Sequence, residues 1–237
     1  VRNPDWELFR SLYEDCGGIV RLVDIAPECE GAQTFVERAK ELCTVSIAHT
    51  EADFEQAKQS FAWGITHATH LYNAMSGLTH RAPGVVGAVM DTPSVRAELI
   101  CDGFHINPAV LRITFRILGE DRTVVVSDSM RAAGQPDGDY DLGGQMVQVR
   151  GGHALLPDGT IAGSTTNLHD ELKNLLSFGI PFRQAVKSVT INPAREADAA
   201  DRVGSLAPGK LADAVVLDAA TYDIRFVLMN GSVVYRA

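Results

Sequence analysis

Between about residues 18 and 130, short β-branched runs alternate with stretches of helical period, and this alternation limits the chain to few architectures. The runs are GIVRLVDIA, TVSIAH, a short one entering THATH, AELICDG and TVVVSD. Between them, Phe35, Ala39 and Leu42 share one helical face after Gly31, and Phe54, Ala57 and Phe61 share another after Thr50. Asn107 and Pro108 supply an N-cap and a first-turn proline for AVLRITFRIL, which Gly119 ends. Repeated βα units of this kind build a parallel sheet.

The pattern changes further on. NLHDELKNLLSFG and PFRQAVKSVT read as two more helices, and MVQVRGGHALL as a hairpin inserted between βα units. After residue 200, DAVVLD is followed by FVLM and SVVY joined by Asn230-Gly231, a strong signal for a type I′ hairpin. Residues 1–200 are thus expected to form the βα part and 201–237 a small all-β element.

With 46% hydrophobic residues, a chain of 237 residues can build one sizeable core. The formal charge of -9 disfavours nucleic acid and anionic membrane surfaces as partners, although a local cationic pocket can still take a phosphorylated small molecule. Cys16, Cys29, Cys43 and Cys101 show no CxxC spacing and no secreted disulfide pattern, so reduced thiols in a cytoplasmic protein are expected. No apolar run is long enough to span a bilayer, and VRNPDWELFR does not read as a signal peptide.

Three metal-capable residues sit where expected strands end: Glu28 after VDIAP, His49 closing TVSIAH, and His70 in THATHLYNAM. In a βα-barrel, consecutive strands deliver their C-terminal ends to one face, so residues one unit apart converge. One carboxylate and two imidazoles suit a catalytic metal site with a position left open for water. Taken singly, a strand-end histidine or a surface carboxylate is an ordinary feature, and His67 is a rival ligand three residues before His70. Asp128, ending VVVSD, could exchange a proton with an attacking water or could simply cap the segment that follows. His105 in CDGFHINP could bind substrate or could be a buried structural histidine.

LVDIAPE, IAHTEAD, THLYNAM, HRAPG, DGFHINP, VVVSD, IAGSTTNLHD and VGSLAPGKLADAVVLD together resemble the N-acetylglucosamine-6-phosphate deacetylases in order and spacing. THLYNAM and the motif order are specific, whereas GxLxxGKxAD marks only the wider amidohydrolase superfamily. The resemblance implies an α/β fold of the (β/α)8 TIM-like barrel type, here with about six βα units, lacking N-terminal units and an HxH pair, and with a small C-terminal β element. It implies one divalent ion, zinc or iron, on Glu28, His49 and His70, with Asp128 as general acid/base. His105 matches a residue that contacts the sugar and helps polarise the acetyl carbonyl. Asn73 and Ala74 match positions at the phosphate end, and Arg81 one that reaches phosphate across a homodimer interface. The implied reaction is hydrolysis of the acetamido group of N-acetylglucosamine 6-phosphate, with N-acetylgalactosamine 6-phosphate as the nearest alternative substrate and a non-catalytic fragment as the rival reading. A barrel short of two units would expose strand edges, so the 237 residues alone are expected to be poorly soluble, oligomeric or inactive.

Overall fold

In the computed structural model, which describes residues 2–237, the alternation becomes a parallel sheet wrapped by helices. The chain enters through α1 (Trp6–Asp15), capped by the Asp5 carboxylate on Leu8 N at 3.0 Å. Then come β1 (Leu22–Ile25), α2 (Ala32–Ala39), β2 (Thr44–Ile47), α3 (Phe54–Trp63), β3 (His67–Ala68), α4 (Gly84–Asp91), β4 (Arg96–Leu99), α5 (Pro108–Leu118) and β5 (Thr123–Val125). The strands lie in the order β1-β2-β3-β4-β5, every neighbouring pair parallel. The α1 helix was not evident from the alternation. Its Trp6 and Phe9 pack on Phe35 of α2, with ring centroids 6.1 and 5.2 Å apart.

The register gives the sheet two unlike faces. Val45, Ile47, Ala97 and Leu99 lie under the helices with Val36, Leu111 and Phe115, all essentially fully buried. Each large side chain so buried contributes about 1.5–3 kcal/mol relative to exposure. The other face carries the row Asp24, Ser46, His67 and Arg96, paired strand to strand, with Glu98 two residues on. Purely parallel sheets usually have apolar residues on both faces; this polar row belongs to the inside of a barrel-like curve. At the α5 start, the Asn107 side chain caps Ala109 N with Pro108 in the first turn, as its sequence implied.

After β5 the chain leaves the sheet for β6 (Gly138–Leu142), β7 (Gln145–Arg150) and β8 (His153–Leu155), an antiparallel unit with its own small core of Met130, Ala132, Val147, Val149, Ala154 and Ala162. The β7–β8 hairpin matches the sequence reading. The β6 strand, GDYDL, has no β-branched residue to announce it; it forms because Gly143 and Gly144, both with positive φ, turn it back onto β7. The chain returns at a single parallel bridge between Ser129 and Ser164, where a sixth strand of the array would run. Three helices follow: α6 (Leu168–Ser177), α7 (Phe182–Val189) and α8 (Ile191–Glu196).

The C-terminal β9 (Ala214–Leu217), β10 (Ile224–Met229) and β11 (Ser232–Arg236) form an antiparallel sheet in the order β11-β10-β9. Asn230 and Gly231 at φ 49° and 77° make the mirror-image turn that the Asn-Gly pair implied. Lys173 of α6 pairs with Asp223 at 2.8 Å, and His169 Nε2 lies 2.7 Å from the Tyr222 carbonyl, fastening this sheet to the helical layer. Among the described residues no helix is long and apolar enough to cross a membrane, and the four cysteines form no disulfide.

Candidate active site

The C-terminal rim of the parallel sheet carries a cluster of residues in unfavourable backbone conformations. His49 follows β2, His70 follows β3 and Asp128 follows β5, and their φ angles are 47°, 35° and 47°. The left-handed region costs a residue with a Cβ roughly 1–2 kcal/mol, and although Asp and His tolerate it better than most, three instances fall together on one rim. Strain of this kind concentrates where side chains must be aimed at a common point.

His49 Nε2 and His70 Nε2 lie 2.9 Å apart, their rings nearly perpendicular. Burial first, and then the neighbouring His70, lower the His49 pKa, while Asp24 and Asp128 pull it upward. Two converging nitrogens, one on an imidazole held toward its neutral form, suit two ligand positions of a divalent ion. His70 is buried, with Nδ1 lacking a hydrogen-bond partner.

Glu28 departs from the expected arrangement. Its Oε2 accepts from the Thr50 hydroxyl and its Oε1 from Glu51 N at 2.7 Å, so both oxygens hold the loop that follows His49. Among the described residues no three His, Cys, Asp or Glu side chains surround a common point that would hold a metal ion. The structure therefore brings together His49 and His70, and does not bring Glu28 into a three-donor group with them.

His67 is engaged elsewhere. It is fully buried on the polar face, with Nδ1 2.9 Å from Glu196 and Nε2 3.2 Å from Glu98; Arg96 closes the group on Glu196 at 2.8 Å. The contacts are close but bent away from ideal hydrogen-bond alignment, so charge carries the pairing. Burial alone would depress the imidazole, but the two carboxylates outweigh it and raise its pKa to about 9.

The loop after β4 presents His105, whose Nδ1 lies 2.7 Å from Asp102 Oδ2. Asn73 donates through Nδ2 to the His70 carbonyl at 3.1 Å, and Ala74, at φ 49°, accepts from Thr50 N at 3.0 Å; both brace the turn beneath His70. Arg81 is exposed in the loop before α4. Sequence reasoning missed Asp24, whose Oδ1 accepts from Thr69 at 2.7 Å, and Asp102. The signal for Asp102 was its spacing, three residues before the histidine of the loop after β4.

This rim of strained strand ends on a parallel βα array is the site architecture of a hydrolase-type barrel, and the chain belongs to the amidohydrolase family, whose model matches residues 27–235. Among curated proteins it is 35% identical over 237 residues to the N-acetylglucosamine-6-phosphate deacetylase of Bacillus subtilis, covering 99% of this chain and 60% of that one. It is 36% identical over 205 residues to the N-acetylgalactosamine-6-phosphate deacetylase of Escherichia coli, covering 86% and 54%. A solved Mycobacterium smegmatis N-acetyl-D-glucosamine-6-phosphate deacetylase, in complex with N-acetyl-D-glucosamine-6-phosphate, superposes with a TM-score of 0.93 at 33% identity, covering 98% of this chain and 62% of that one. The chain thus spans about 60% of the length of relatives that it matches over nearly its whole extent.

Proposed function

We propose that the protein hydrolyses the acetamido group of N-acetylglucosamine 6-phosphate to glucosamine 6-phosphate and acetate. The observation that carries this is the pair of imidazole nitrogens 2.9 Å apart on the strained rim that also bears Asp128, in a chain that superposes on a deacetylase solved with that sugar phosphate. A divalent ion, zinc or iron, on His49 and His70 would supply Lewis-acid activation of water and of the amide carbonyl. Asp128 takes the proton of the attacking water as a bond forms to the acetyl carbon. It then returns that proton to the amine nitrogen as the C–N bond breaks. His105 contacts the sugar, and Asn73 and Ala74 lie at the phosphate end.

Glu28 acts in this reading as the anchor of the His49 loop, because its oxygens hold Thr50 and Glu51. Arg81 reaches the phosphate bound by a neighbouring subunit of a homodimer, a role that its exposed loop position suits. Residues 1–200 supply the hydrolase part and 201–237 strands of a small β unit. The four unpaired thiols suit a cytoplasmic setting.

The similarity to an N-acetylgalactosamine-6-phosphate deacetylase favours that sugar as a second substrate reading. Acetate release from both sugar phosphates, measured with metal content, is the test. Faster turnover of the glucosamine derivative is expected, and the reverse ratio assigns the galactosamine derivative. No release from either by metal-loaded protein overturns the enzymatic reading in favour of a non-catalytic fragment.

A further inference from the structure

The loop Cys101–His105 is held more firmly than a substrate contact alone requires. Asp102 Oδ1 accepts from Phe104 N at 2.9 Å and from His105 N at 2.8 Å, while Oδ2 faces His105 Nδ1 at 2.7 Å. Gly103, at φ 77°, lets the loop turn; a Cβ there would sit 2.9 Å from the Phe178 ring. One residue upstream, the Glu171 carboxyl of α6 accepts from Cys101 N, and burial raises its pKa to about 8. Two of the three Asp102 contacts are backbone N–H donors, the third is a ring nitrogen, and all its partners lie within three residues. The His105 side chain is 4% exposed, so its ring has little freedom to rotate away.

A carboxylate accepts hydrogen bonds and does not donate them, so the imidazole nitrogen facing it must carry a proton. With Nδ1 protonated, the neutral ring has a bare lone pair at Nε2. It can donate from Nε2 only after taking a second proton. We propose that Asp102 is a positioning residue that sets the hydrogen-bonding polarity of His105, keeping the proton on Nδ1 and leaving Nε2 to accept from a substrate hydroxyl. This rests on the deacetylase reading for the identity of the substrate; it keeps the His105 contact with the sugar and removes its part in polarising the carbonyl.

The test exploits the geometry. In Asp102→Asn, Oδ1 can still accept from Phe104 N and His105 N, so the loop keeps its fold, but the amide Nδ2 now donates to His105 Nδ1. The proton moves to Nε2, turning the acceptor into a donor. Long-range ¹H–¹⁵N spectra of histidine-labelled protein at mildly alkaline pH, assigned with His105→Gln, should show protonated Nδ1 in the parent and protonated Nε2 in the variant. A sugar hydroxyl loses its acceptor, so kcat/KM should fall roughly 10- to 100-fold, mainly through KM, with the melting temperature unchanged. An Nε2 proton in the parent, or the same tautomer in both proteins, overturns the proposal. If the parent releases no acetate, the substrate reading fails on its own, and the spectra still decide the role of Asp102.

Discussion

His67 and His70 are three residues apart on one strand edge, yet they occupy opposite kinds of chemistry. His67 lies inside the polar face of the sheet, flanked by Glu98 and Glu196, with its pKa raised to about 9. His70 stands at the rim on a left-handed backbone, aimed at a second imidazole. A charged ring clamped between two carboxylates has no lone pair for a metal, whereas the His70 ring turns its Nε2 toward the Nε2 of His49. The difference teaches that strand register, more than residue type, decides which histidine of THATH is locked into the sheet and which reaches the rim.

The largest effects should come from the rim. His70→Ala and His49→Ala should lose bound metal and acetate release together, whereas Glu28→Gln should keep the metal, all read by elemental analysis. A full equivalent of metal in His70→Ala, with loss from a folded His67→Gln, would reverse the comparison. Loss of metal from Glu28→Gln would restore that carboxylate as a third donor. Asp128→Asn should retain metal and lower turnover by at least about 10²-fold.

His67 should control stability instead. Removing a partner from a buried ionic group leaves the remaining charges uncompensated, so His67→Ala should cost about 3–5 kcal/mol in denaturant melts. The pH dependence sharpens this. Because the folded pKa of about 9 exceeds the ordinary 6.5, its stabilisation is complete below about pH 6.5 and is lost as pH rises through 9. The change is on the order of 3 kcal/mol. The stability difference between the parent and His67→Gln should shrink across that window, and a constant difference would show that His67 is neutral in the fold.

The smallest effect on chemistry is expected at Arg81. Arg81→Ala should cut activity on the 6-phosphate far more than on the unphosphorylated sugar. Mixing it with Asp128→Asn subunits should restore some activity if Arg81 serves the neighbouring site. Equal loss on both sugars would give Arg81 a purely structural role.

The alternation of β-branched and helical segments made the parallel array legible, because both periodicities are local. The Asn107-Pro108 and Asn230-Gly231 signals worked for the same reason. The α1 helix was missed because it lies before the first repeat, and β6 because its strand character comes from its partner. At the site, His49, His70 and Asp128 follow β2, β3 and β5, where the pattern of strand ends placed them. Sequence could not show that Glu28 turns its carboxylate toward Thr50 and Glu51, nor that His67 meets Glu196 across 129 positions of chain. Such contacts depend on how loops and distant helices close over the sheet.

The hairpin unit β6–β8 leaves the array and rejoins it at adjacent points, Ser129 and Ser164, and packs around a core of its own. Its length and sequence can therefore drift, or be exchanged wholesale, without transmitting a change of register to β5 or α6. Within this molecule it is the segment through which evolution could reshape the surroundings of His105, since His153 of β8 stacks on Phe104 at 3.9 Å.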